Sequence, residues 1–173
     1  MASRKTSKVR HLPCIDVVVD ATALVRNGSG TIAGPIWLRD GDSDTQADFP
    51  EVGWVDLPLA LLGSWLAELQ RLAHTVPSSG TTSTCNFLDG PYYFTVRVDT
   101  GGAWVVRCFE ARERSTQPPR PVHEWRTGGA AFLASVVRAG RAVLARCDAR
   151  GWWNRDTETL RRCLEAGSQY RAG

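Results

Sequence analysis

Five carboxylates, Asp40, Asp42, Asp44, Asp48 and Glu51, stand at relative positions 1, 3, 5, 9 and 12 of one short segment, the spacing with which a calcium loop supplies its oxygen ligands. The first chemistry this suggests is capture of a hard divalent cation. Three features argue against it: Thr45 stands where such loops place the Gly of their sharp turn, Pro50 occupies position 11, and the preceding segment has strand rather than helix composition. Two other readings remain: a solvated acidic loop, or an acidic surface for a basic protein partner. The last is favoured, and neither metal nor cofactor is expected.

A second constellation lies near the C-terminus, where Arg138, Arg141, Arg146, Arg150, Arg161 and Arg162 surround the pair Trp152-Trp153. It would suit a basic, aromatic nucleic-acid face, or a regulatory binding module, but it contains no recognised nucleic-acid motif. Arginine stems also commonly cover apolar surface on a solvated helix, here pairing with the acidic half. Two adjacent indoles just after a helix end cannot easily both be buried, so Trp152 and Trp153 join the acidic residues as candidate partner-binding positions.

Catalytic material is sparse. His11, His74 and His123 are dispersed, no Ser or Cys stands in a nucleophile motif, and no glycine-rich phosphate loop follows a strand. No catalytic residue is nominated, and an enzyme would need a pocket converging on titratable groups. His74 is expected at a helix C-terminus and His123 in a loop.

The elements that must position these residues fit one domain of 173 residues, 43% hydrophobic and 23% charged. A basic lead (residues 1–12, expected to be disordered) precedes a domain at 13–167 and a tail at 168–173. Charge is split. Residues 11–100 carry four basic and eleven acidic side chains, net −7, whereas residues 101–173 carry thirteen and seven, net +6. Five widely spaced cysteines, Cys14, Cys85, Cys108, Cys147 and Cys163, read as buried thiols. With no apolar leader and no 18-residue apolar run, a reducing cytoplasm is the expected compartment and no membrane span is expected.

β-Branched residues over Cys14–Val25, the turn Asn27-Gly28-Ser29-Gly30 and a second run to Leu38 predict a hairpin, with Pro35 marking a bulge or a sheet edge. Asp56 is the expected N-cap of a helix with Pro58 in its first turn and Leu57, Leu61, Trp65, Leu69 and Leu72 on one face, ending near His74. Thr84–Leu88, Tyr92–Val98 and Ala103–Ala111 predict a three-strand meander, and Arg114–Pro121 a loop. Phe132, Val136, Gly140, Val143 and Cys147 mark a second helix, its Gly140 pressed on a strand or on the first helix and Gly151 closing it. Asp156 or Thr157 is expected to cap a short terminal helix carrying Leu160, Cys163 and Leu164, with Gly167 beyond its end. Together these predict an α+β fold: a mainly antiparallel sheet of about five strands packed against two longer helices, plus the short C-terminal helix.

The order of elements, with Trp54-Val55-Asp56-Leu57-Pro58 opening a Trp- and Leu-lined helix, Phe87-Leu88-Asp89-Gly90-Pro91-Tyr92-Tyr93-Phe94 as a hairpin and then Trp104 to Arg112, resembles bacterial immunity proteins of polymorphic or contact-dependent toxin systems, of the kind that protect against wall-associated-protein toxins. The resemblance spans roughly residues 13–165. It implies a small cytoplasmic protein, not an enzyme, that binds a cognate toxin domain and blocks its active site, and it leaves the oligomeric state open. Many such proteins are acidic overall, whereas this chain has a net charge of +3. A local acidic loop could still imitate phosphate for a basic toxin, while the arginine-rich half could face an acidic one.

Overall fold

The run Ile15-Asp16-Val17-Val18-Val19 forms strand β1 (Ile15–Val19), as its β-branched composition favours. The computed structural model describes residues 14–41, 47–75, 80–111 and 117–169; the basic lead, Asp42 and Asp44 lie outside these. After β1 the chain makes a 3-10 turn at Ala21–Ala23, closed by Asp20, whose Oδ1 accepts from the N–H groups of Thr22 and Ala23. It then forms β2 (Val25–Arg26) and returns through the Asn27–Gly30 turn into β3 (Ile32–Asp40). Both β1 and β2 pair antiparallel with β3, so the expected hairpin is present, broken in the middle by the 3-10 turn.

β3 is the spine of the first sheet. The two-residue strands β4 (Asp48–Phe49) and β5 (Val55–Asp56) also pair with it, so Pro35 lies in a central strand rather than at an edge. The irregularity sits on its partner. Opposite Pro35 the chain leaves β1 for the 3-10 turn, and the one bond made there runs from the Asp20 N–H to the Pro35 carbonyl, so the missing proline donor goes unneeded.

Helix α1 (Pro58–Ala73) follows, with Leu61, Leu62, Trp65, Leu66, Leu69 and Leu72 buried. Its N-cap is Leu57, not Asp56, and the His74 N–H closes its C-terminus. A second antiparallel sheet comprises β6 (Thr82–Asn86), β7 (Tyr92–Val98), β8 (Trp104–Glu110) and β9 (Arg120–Thr127), in that order. The meander thus has four strands, and His123 lies in β9 rather than in a loop. Its inner face carries Cys85, Phe94 and Cys108 in register, with Val96, Val106 and Trp125 beside them.

Helix α2 (Gly129–Arg150) ends on the left-handed Gly151, as expected, and α3 runs from Arg155 to Gln169. Asn154 begins α3: its Oδ1 accepts from the Thr157 N–H while the Asn154 N–H donates to Thr157 Oγ1, the reciprocal arrangement of a capping box. The cap is therefore neither Asp156 nor Thr157, and Gly167 lies within the helix. Gly140 packs against α3 rather than a strand or α1, since a Cβ there would sit 3.4 Å from Leu160 and Leu164. One apolar core joins both sheets and all three helices, which gives the α+β fold with its strands divided between two antiparallel sheets rather than gathered in one.

Candidate functional site

Register alone separates the acidic residues. Asp40 pairs with Ile15 and Asp48 with Arg39, and because Arg39 and Asp40 are successive in β3, their side chains leave opposite faces. Asp40 and Asp48 therefore do not converge on one ion. The Asp48 carboxylate is already engaged, accepting from Trp37 Nε1 and Arg39 Nε, both at 2.8 Å, and it is largely buried by them. Of the three described acids Glu51 is exposed, on the turn that leads to β5, and Asp40 and Asp48 are half-buried. Among the described residues no group of three or more potential metal ligands comes together.

The same register gathers an apolar face that the acid spacing did not announce. Val25 is opposite Ala33, and Val55 is opposite Pro35, so these four side chains share the outer face of the first sheet. Val25 is 60% exposed and Val55 53%. Leu88, 57% exposed, joins Ala33, Val55, Asp56, Leu57 and Asp89 around a cleft of about 310 Å³. Exposed Val52 lies beside Glu51 on the preceding turn.

Asp56 builds this cleft. Rather than capping α1, its carboxylate is 3% exposed and reaches across to the other sheet. Oδ2 accepts from the N–H groups of Leu88 and Asp89 at 3.0 and 3.1 Å and from Trp54 Nε1 at 3.5 Å, while Oδ1 accepts from the Leu57 N–H at 2.7 Å. Gly90 completes the turn with φ +70°, where a Cβ would meet the Trp54 ring at 3.0 Å. Trp54 in turn packs edge-on against Tyr92. The tip that carries Leu88 and Asp89 is held in place before any partner arrives.

Trp152 and Trp153 divide as adjacent indoles at a helix end should. Trp152 packs on the core beneath the Arg150 guanidinium, and Trp153, 55% exposed, lies beneath that of Arg161. Arg161 also pairs with Asp148. The Asn154 side-chain amide donates to the Gly30 carbonyl, tying this turn to the β2–β3 turn. Most of the neighbouring arginines have internal work: Arg138 pairs with Asp16, and Arg146 donates to the Thr22 carbonyl. The arginine-rich half does pair in part with the acidic half, which leaves a smaller basic surface than the sequence suggests.

Histidine chemistry is similarly committed. His123 stacks on Trp125 and meets Phe49 edge-on, and burial there lowers its pKa, opposed by a hydrogen bond to the Asp48 backbone. Burial raises the Cys85, Cys108 and Cys147 thiols, so these are poor nucleophiles. Cys14 and Cys163 are half-buried.

Comparison with known protein families, with characterised proteins and with solved structures finds no match to this chain. No helix among the described residues is long and apolar enough to cross a membrane.

Proposed function

We propose that this chain is a protein-binding domain of the immunity type, which neutralises a cognate toxin domain by covering its active site. The observation that carries this reading is the outer face of the first sheet, where Val25 and Val55 are more than half exposed beside Ala33 and Pro35, with Leu88 of the neighbouring sheet's turn, equally exposed, across the cleft from Val55. Apolar side chains grouped on one face of a rigid sheet are the core of a protein interface, which needs desolvated anchors inside a polar rim. At the cleft Asp89 is exposed and makes no ion pair among the described residues, so the reading expects a basic partner surface at this contact. A toxin that handles nucleic acid or another anion carries such a surface at its active site, which connects the charge to inhibition by occlusion.

The reading expects the adjacent gene to encode a large secreted protein with a variable C-terminal toxin domain. That domain, purified and mixed with this chain, should form a stable stoichiometric complex and lose its toxic activity. A toxin domain that remains fully active with the chain in excess overturns the reading.

A further inference from the structure

The Asp56 carboxylate is almost wholly buried, yet all four of its hydrogen-bond donors are neutral: three backbone N–H groups and one indole. These donors satisfy the carboxylate oxygens, and among the described residues no ion pair reaches it. Buried charges are ordinarily paired with an opposite charge. Beside it the exposed Asp89 adds a second carboxylate to a cleft whose other walls, Ala33, Val55, Leu57 and Leu88, are apolar. Apolar walls of low dielectric concentrate the field of both carboxylates toward the open mouth.

We propose that this cleft is the socket for an arginine side chain of the protein partner. The inference rests on the protein-binding reading above. At about 310 Å³ the cleft is at the small end of ligand pockets, with room for one long side chain. The aliphatic stem would lie along Val55 and Leu88, and the planar guanidinium would meet the Asp89 carboxylate, whose fork geometry it matches. Asp89 is the contacting residue. Asp56 is a positioning residue, because it holds the Leu88 and Asp89 N–H groups and adds its field without being reached.

The test uses n-butylguanidinium as the probe and n-butylurea as its neutral counterpart of the same shape, followed by NMR of the Val55 and Leu88 methyl groups in the full chain. Saturable shifts are expected with the cation at millimolar concentration, with the urea at least about fivefold weaker, the weight of a partly exposed charge pair. Asp89→Asn should weaken the cation about fivefold and leave the urea unchanged. Asp56→Asn should do the same and also speed amide exchange at Leu88 and Asp89; if that variant fails to fold, Asp89→Asn decides alone. Equal binding of cation and urea, or undiminished cation binding by Asp89→Asn, overturns the socket. Failure of butylguanidinium to shift these methyls while Leu88→Lys still abolishes toxin-domain binding also overturns the socket and leaves the protein-binding reading standing. Cation binding with no toxin-domain binding has the opposite effect: it upholds the cation site and overturns that reading.

Discussion

Ser135 in α2 accepts a hydrogen bond at 2.7 Å from the backbone N–H of Val17 in β1, a residue 118 positions earlier. The same hydroxyl donates to Asp16 Oδ1, which also receives Arg138. Among the described residues β1 has β3 on one side only, and Ser135 occupies the open ladder position on the other. A strand edge is thus satisfied at this position by a helix side chain. Ser135→Ala would leave the buried Val17 donor unpaired, at a cost of about 1–3 kcal/mol in unfolding free energy. Urea denaturation of both proteins measures this, and a loss under about 0.5 kcal/mol would show that the edge is satisfied in another way.

Cysteine reactivity should follow burial. Cys85, Cys108 and Cys147 lie in the core, and their thiols are held protonated by desolvation. A disulfide reagent at neutral pH is expected to modify only Cys14 and Cys163 in the native protein, reaching the other three when urea unfolds it. Rapid native labelling of Cys108 would contradict the packing of the second sheet.

His123 gives a pH dependence of definite sign. Its folded pKa is lowered, so the unfolded chain binds the proton more readily. Stability from this group is fully present above the ordinary histidine value of about 6.5 and falls as pH drops through that value, levelling off below the folded one. His123→Gln should flatten the stability profile between about pH 5 and 7 relative to the parent. A profile of unchanged slope would mean that His123 is equally free to protonate in both states.

The helices were legible because their apolar spacing is unbroken: Leu61, Trp65, Leu69 and Leu72 are all buried, as are Phe132, Val136, Val143 and Cys147. β9 was not legible, since Arg120-Pro121-Val122-His123-Glu124-Trp125-Arg126-Thr127 lacks apolar alternation. It is an edge strand, which tolerates Pro121, and its inner face is completed by Trp125, Thr127 and the stacked His123. The two-residue strands β4 and β5 are too short to carry a pattern, and without them one sheet cannot be told from two.

Spacing alone also conceals the setting of the acids. A count of positions 1 and 9 cannot reveal that Asp40 and Asp48 leave opposite faces of a sheet, or that Asp48 is occupied by Trp37 and Arg39. Asp56 resembled a helix cap because it stands two residues before Pro58. Besides its neighbours Trp54 and Leu57, its partners are Leu88 and Asp89, 32 and 33 residues away, and that distance hides the cleft from any local reading.

The most direct measurement compares the parent chain with Val55→Lys and Leu88→Lys in calorimetric titration against the C-terminal toxin domain of the neighbouring gene product. Both sites are more than half exposed, so the variants should keep the parent's thermal unfolding within a few degrees. Each is expected to weaken binding at least about tenfold, as loss of an interface anchor does. Parent-strength binding by both folded variants would contradict the assignment of this face as the surface that holds the partner.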